Sequence, residues 1–284
     1  MTVLVFGASG MIGSEVSAYF QERGLSVCAP ASGEFTEDNL KWRKPSRQKL
    51  ETLLDLKRPE IVFNFSGKTR HRIIHKEDEV DAILVNVLFS TMLDEIANKN
   101  SIPIFTIATD CVFSGNEGSY DENSAKDGHD IYAITKIAGE ESTIATNYLR
   151  VSVVGLGNKN GASLAEWFYN LPLNSKIDGY ANHYWNGVPS KVLSKVLYEI
   201  YRNKIELPRN FHLATEGKMI KSEMLYIFRE LFNRKDIQIQ EMQSPKLVDR
   251  SLTSIHQSLN LDIWNVCGFE RVPSSELLLR KHFL

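Results

Sequence analysis

The chain has 284 residues, with 33 Lys and Arg against 35 Asp and Glu, so its formal charge of −2 gives no chain-wide basic field for gripping a nucleic-acid backbone. Hydrophobic residues at 43% and charged residues at 24% are ordinary for a globular protein, and the length allows about two domains with a sizeable core. No apolar run approaches the roughly 18–20 residues that cross a bilayer, and the opening Met-Thr-Val-Leu-Val-Phe lacks the basic region of a secretory signal.

The first half alternates short apolar runs with helical stretches, the pattern of a parallel sheet wrapped by helices. The first run, Thr2–Phe6, predicts a strand; it enters Gly7-Ala8-Ser9-Gly10-Met11-Ile12-Gly13 and a helix over Ile12–Gln21. Further strands are predicted at Ser26–Ala29, Glu60–Phe65, Ile104–Ala108 and Tyr148–Val154. They are nearly continuous in Val, Ile, Leu and Phe, as strands buried on both faces are. Helices fall between them at Ser46–Leu56, Val80–Lys99 and Asp130–Ala145. In the second of these, Val80, Ile83, Leu84, Val87, Leu88 and Leu93 recur mostly every three or four residues, a stripe whose plainest account is packing on the sheet.

After Val154 the texture changes. Gly155, Gly157, Gly161, Pro172 and Asn174 interrupt the pattern, and residues 178–187 are polar, aromatic and irregular. A helix returns at Pro189–Arg202, with Pro189 suited to a first turn; Phe211–Ala214 reads as a strand and Lys221–Asn233 as a helix. The organisation this predicts is a sheet domain over 1–155, rejoined by about 189–214, with a smaller lobe from about 156–188 and 215–284. Cys28, Cys111 and Cys267 form no CxxC pair, which argues against a disulfide scaffold or a zinc site and for a reducing cytoplasm.

The glycines between the first strand and helix have separate tasks. Gly7 turns the chain sharply, Gly10 lets backbone approach a pyrophosphate, and Gly13 lets helix and strand pack closely. With Ser9, Met11 and Ile12 they form a turn whose N–H groups and helix dipole favour phosphate, the context a dinucleotide fingerprint requires. The second strand ends Val27-Cys28-Ala29-Pro30-Ala31-Ser32-Gly33, without the acid that binds the ribose 2′-hydroxyl of NAD, and Glu34 comes late. Ser32 could donate to a 2′-phosphate. Lys41, Arg43 and Lys44 either add positive charge there or form a solvated basic face. NADP(H) is the expected cofactor, with NAD(H) left open.

A second constellation joins Thr109, at the end of a strand, to Tyr132 and Lys136 on a helix. Four residues apart, Tyr132 and Lys136 share one helix face, about one turn from each other. A nearby ammonium favours phenolate and lowers a phenol pKa from about 10. Such a phenol can protonate a carbonyl oxygen as hydride reaches the carbon, and the Thr109 hydroxyl can hold the same oxygen.

These residues resemble a family. Ala108-Thr109-Asp110-Cys111-Val112-Phe113-Ser114-Gly115, Tyr120-Asp121-Glu122 and Tyr132-Ala133-Ile134-Thr135-Lys136-Ile137-Ala138-Gly139-Glu140 are similar to the S-T-D-Y-V-F-D-G, Y-x-E and Y-G-x-S-K-x-x-G-E stretches of one branch of the extended short-chain dehydrogenase/reductases, the dTDP-4-dehydrorhamnose reductase-like branch. The likeness covers about residues 1–155. It implies an α/β fold: a Rossmann-type doubly wound parallel sheet with a smaller mixed α/β substrate lobe. It also implies Tyr132 as general acid, Lys136 as its pKa-lowering partner and ribose anchor, Thr109 as the oxyanion-side hydroxyl, and Asn86 as the helix asparagine that keeps a backbone position and water chain in place. Ser66, Gly67 and Lys68 match the cofactor-lining turn after Asn64.

Cys111 replaces the tyrosine of the S-T-D-Y stretch, and Trp42-Arg43 stands where the family has Asp-Leu beside adenine. Asp110, Cys111, Trp185 and Arg250 are the candidates for substrate contact, with His183 beside them; lobe packing is the bland alternative for Trp185, His183 and Arg250. His71 and His75 have ligand spacing only on a helix, and no metal is expected. The resemblance implies an NAD(P)H-dependent reductase of a nucleotide-linked 4-keto-6-deoxy sugar, with no nucleic-acid or membrane partner and a homodimer left open. Two alternatives stay beside it: an epimerase or dehydratase that retains its cofactor, and a non-catalytic partner-binding protein, since the regulatory subunit of methionine adenosyltransferase resembles this branch too.

Overall fold

In a computed structural model, residues 2–39, 42–157 and 163–284 are described; Lys41 and Gly161 lie outside them. Six strands form the main sheet: β1 (Thr2–Phe6), β2 (Ser26–Cys28), β3 (Ile61–Asn64), β4 (Ile104–Ala108), β5 (Asn147–Arg150) and β6 (Asn210–His212), in the order β6-β5-β4-β3-β1-β2. Parallel pairing joins β1 to β2 and to β3, and β3 to β4. This is the Rossmann-type parallel sheet that the alternating pattern implies. After β2 the chain crosses to the other side of β1 to make β3, so the order reverses between β1 and β3. In an open parallel sheet, ligands bind beyond the carboxyl ends of the strands at such a reversal.

The chain divides into two compact units: Met1–Val112 with Lys126–Leu149 and Leu207–Asn210, and Phe113–Ala125 with Arg150–Glu206 and Phe211–Leu284. In the first, Val3, Leu4, Val5 and Phe6 are fully buried, the both-face burial expected of a central parallel strand. Helix α1 (Met11–Glu22) follows the glycine loop, and α2 (Arg47–Lys57) sends Leu50, Leu53 and Leu54 into a core with Phe6, Phe35, Val62, Phe89 and Leu93. Between β2 and α2, where no strand is predicted, Thr36–Asn39 and Trp42–Pro45 pair as an antiparallel hairpin.

The long third helix, α3, departs from expectation. Lys76–Ala82 runs without a break through a π-helical stretch, Ile83–Phe89, into Ser90–Lys99. The predicted stripe meets the buried face only at Leu93: Val80 and Ile83 are exposed and Leu84, Val87 and Leu88 half-buried, while Ala82, Asn86, Phe89, Ile96 and Ala97 are buried with Leu93. Apolar periodicity misses this face because a polar residue, Asn86, stands at its centre. Among the described residues, helix α4 (Ile131–Glu141) is the last α-helix of this unit.

The second unit holds helices Leu164–Tyr169, Ser190–Arg202, Lys221–Leu231, Gln257–Val266 and Ser275–His282. In a three-stranded sheet, His183–Trp185 lies between Met219–Ile220 and Val248–Asp249; a second, two-stranded sheet pairs Lys176–Tyr180 with Gln238–Met242. Phe168, Met224, Leu225, Ile227, Phe228 and Leu279 form its core. No helix of the described residues is long and apolar enough to cross a membrane.

Candidate active site

Three loops leave the same edge of the sheet, because β1, β3 and β4 are parallel neighbours about 4.8 Å apart. Gly7 has φ +75°, and a Cβ there would lie 2.6 Å from the backbone of Phe65 and Ser66, so only glycine permits this meeting of loops. A Cβ on Gly13 would lie 2.2 Å from the Gly7 carbonyl oxygen. The Gly10 N–H donates to that oxygen at 2.9 Å, and no side chain of the described residues caps the N-terminus of α1, where Met11 and Ile12 stand. Ser9 is exposed at the turn.

After β2, Ser32 opens a short 3₁₀ turn in which the Glu34 carboxylate accepts the Ala31 N–H at 2.6 Å. Lys49, on α2, donates to the Thr36 carbonyl at 2.7 Å. Lys44 is exposed in the hairpin.

The loop after β3 is held by two asparagines. Asn64 Oδ1 accepts the Ser66 N–H at 3.0 Å. Asn86 holds both backbone groups of Lys68, accepting its N–H at 3.0 Å and donating to its carbonyl at 3.2 Å, and also donates to Thr135 Oγ1 on α4 at 3.0 Å. Gly139 makes room for α3 at this point, since a Cβ there would lie 2.1 Å from the Asn86 carbonyl oxygen. Ser66 and Gly67 are thereby fixed beside the glycine loop. The Lys68 ammonium turns to α3, pairing with Asp78 at 2.7 Å and Asp81 at 3.2 Å.

Thr109 follows β4 directly. Its Oγ1 accepts the Cys111 N–H at 3.1 Å and lies 3.3 Å from Asp110 Oδ1, and its side chain hydrogen-bonds the Tyr132 phenol. Tyr132 and Lys136 sit one turn apart on α4, both partly buried. Asp130 caps that helix by accepting the Ala133 N–H at 2.9 Å, and it pairs with Arg70. Burial above all, then the Cys111 thiol in its charged form and the Asp110 and Glu140 carboxylates, push the Tyr132 pKa up; the Thr109 hydrogen bond pulls the other way. The sequence leads one to expect a phenol drawn down by Lys136, yet Lys136 is not among the largest influences in the chain by itself.

The remaining candidates lie in the second unit. Trp185 packs against its core and donates its indole N–H to Ser152 Oγ at 2.8 Å. Arg250 grips the chain after the 3₁₀ turn Asp110–Val112, with Nε on the Phe113 carbonyl at 2.7 Å and Nη2 on that of Ser114 at 3.2 Å. The Tyr120-Asp121-Glu122 stretch is a scaffold. Tyr120 stacks on Phe113 at 4.3 Å and its hydroxyl accepts the N–H groups of Gly115 and Glu117, while Glu122 accepts those of His212 and Ile255. His212 Nε2 accepts from Arg150 Nε at 3.1 Å, and its Nδ1 faces the Thr253 and Tyr120 carbonyls.

Sequence reasoning passes over Arg70, Asp130 and Thr135, which position α4 and its asparagine contact. The Asp at 130, two residues before Tyr132 and three before the Ala133 N–H it accepts, is a readable helix cap; the Arg70 and Thr135 partners are not readable from spacing.

A dTDP-4-dehydrorhamnose reductase from Clostridium acetobutylicum shares the fold, with 16% identity and a TM-score of 0.78 over 99% of this chain and 98% of that one. A dTDP-4-dehydrorhamnose reductase from Bacillus anthracis, solved in complex with NADP, is likewise 16% identical, with a TM-score of 0.79 over 99% and 97% of the two chains. In sequence, the beta subunit of methionine adenosyltransferase 2 from Xenopus tropicalis is 23% identical over 244 residues, 81% of this chain and 72% of that protein. The family model described as the RmlD substrate binding domain matches residues 1–262, and the chain belongs to that family.

Proposed function

We propose that the chain is a nicotinamide-dinucleotide-dependent reductase of a nucleotide-linked 4-keto-6-deoxy sugar, with NADP(H) preferred over NAD(H). The observation that carries this reading is the Tyr132 phenol hydrogen-bonded to Thr109 at the carboxyl end of β4, with Lys136 one turn along α4. The uncapped N-terminus of α1, kept free of side chains by Gly10, suits a pyrophosphate. Ser66, Gly67 and the Lys68 backbone, fixed by Asn64 and Asn86, would line the same cofactor.

When bound, the nicotinamide supplies the hydride. Tyr132 stays protonated at neutral pH because its pKa is pushed up, and it gives that proton to the keto oxygen. Thr109 orients the phenol and can hydrogen-bond the same oxygen. Lys136 offsets the phenolate charge left after proton transfer. Asn86 keeps α4 and the loop after β3 in register. Three free cysteines suit a reducing cytoplasm.

NADPH and NADH oxidation against a panel of dTDP-, UDP-, GDP- and CDP-linked keto sugars tests the reading. Stoichiometric oxidation is expected with at least one, and Tyr132→Phe should lower kcat about 100-fold or more while NADPH binding persists. No turnover with any of them overturns it, and turnover without net oxidation points to an epimerase or dehydratase. The 23% identity to a methionine adenosyltransferase beta subunit favours a second reading, a partner-binding protein in which the dinucleotide serves structure. Tight binding to a methionine adenosyltransferase catalytic subunit, with no keto-sugar turnover, would select it.

A further inference from the structure

The loop between β3 and α3 is tied down at both ends. At its entry, Asn64 accepts the Ser66 N–H and Asn86 holds both backbone groups of Lys68. At its exit, Asp78 Oδ2 accepts the N–H groups of Ile74 at 3.0 Å and His75 at 2.9 Å, while its Oδ1 accepts from the Lys68 ammonium. One carboxylate thereby staples the exit to the entry. Between these anchors the chain makes a single 3₁₀ turn over Arg70–Arg72, in which the Arg72 N–H donates to the Thr69 carbonyl at 2.9 Å and the Ile73 N–H to that of Arg70 at 3.1 Å.

The Arg70 guanidinium carries this turn to another element of the same unit, for it pairs with Asp130 Oδ2. Asp130 is the cap of α4: its Oδ1 accepts the Ala133 N–H at 2.9 Å, and Tyr132 stands two residues on. The side chains of Arg70 and Asp130 are 52% and 30% exposed. An ion pair so open to water adds little to stability, and salt screens it. What it can do is choose among arrangements of nearly equal energy. A continuous span results: Gly7 meets Ser66, Asn86 fixes Lys68, Arg70 reaches Asp130, and Asp130 begins the helix of Tyr132.

We propose that Arg70 is a positioning residue for the dinucleotide: by pairing with Asp130 it fastens the loop after β3 to the start of α4 and slows the ligand's departure. A dinucleotide reaching from the glycine turn to Tyr132 follows this span, so it leaves more readily when the pair is open. Only the place of the dinucleotide is taken from the reductase reading, and keto-sugar turnover does not enter.

Stopped-flow displacement of NADPH from the full chain, followed by its fluorescence, tests the role. Arg70→Met should release NADPH about two- to fivefold faster than the native protein, the range an exposed ion pair supplies. Asp130→Asn keeps an amide oxygen to cap α4 and loses the charge, so it should match Arg70→Met. The double variant should be no faster than either single one, and Arg70→Lys should release nearly as slowly as the native chain. Raising sodium chloride from about 0.05 to 0.5 M should speed release from the native protein more than from the double variant. Melting should hardly change in any of them, because the pair is exposed. Release at the native rate from both Arg70→Met and Asp130→Asn overturns the role of the pair and leaves the reductase reading standing. Single effects that multiply in the double variant overturn the pairing as their cause. Native protein that binds neither NADPH nor NADH overturns both this role and the reading.

Discussion

In the first unit the buried polar groups Asn64, Asn86 and Thr135 hold loops at the carboxyl edge of the sheet, whereas in the second the buried Arg150 and His212, with the half-buried Glu122, chiefly hold one another and nearby backbone. Both sets lie close to stretches that resemble the same family, yet only the first adjoins groups able to move a proton. The Tyr120-Asp121-Glu122 stretch is as much a likeness as the Tyr132–Lys136 stretch, but its hydroxyl is engaged by the N–H groups of Gly115 and Glu117. A motif that identifies a family therefore mixes chemistry with scaffolding, and hydrogen-bond partners separate the two.

The strongest way to sharpen the contrast is acid. His212 has its pKa lowered to about 4, by burial and then by Arg150, so the folded chain keeps it neutral while an unfolded chain protonates it near 6.5. Its contribution to stability is complete above the unfolded value and is lost as pH falls toward the folded one. Urea unfolding between pH 7 and 4.5 should therefore show a decline of at most about 3 kcal/mol, at 1.36 kcal/mol per pKa unit. His212→Gln should flatten the decline, and an equally steep slope in that variant would remove the second unit's network from the account. The Glu122 carboxyl is held below the ordinary range, so it reinforces the loss only at still lower pH.

Next in size is Gly13→Ala. The added methyl would meet the Gly7 carbonyl oxygen at 2.2 Å, and relieving that contact should cost about 2 kcal/mol together with dinucleotide affinity. Melting and NADPH binding equal to the native protein would contradict the close packing of loop and helix. The smallest effect belongs to Trp185→Phe, which removes one hydrogen bond to Ser152 and should lower stability by about 1 kcal/mol with sugar-nucleotide KM unchanged. A large rise in KM without loss of stability would instead make Trp185 a substrate contact.

Much of the sheet was legible because its strands announce themselves locally. Thr2–Phe6 and Ile104–Ala108 occupy their predicted spans, while Tyr148–Val154 divides into Asn147–Arg150 and Val153–Val154. The hairpin at Thr36–Asn39 and Trp42–Pro45 was not readable, since Thr-Glu-Asp-Asn and Trp-Arg-Lys-Pro carry few of the apolar residues that mark a strand. At the site, the glycine spacing and the Tyr132–Lys136 interval could be read directly, because each depends on one turn of backbone. The neighbours of Asn86 could not, for they lie 18 and 49 residues away.

The π-helical stretch in α3 makes that helix sensitive to length more than to composition. Each wider turn accommodates one residue beyond an ordinary α-turn, and one residue corresponds to about 100° of rotation. Excising a single residue between Ile83 and Asn86 would restore common helical phasing yet swing the amide away from Lys68 and Thr135. The segment thus behaves like a reading frame, tolerant of altered letters on its outer side and intolerant of a changed count.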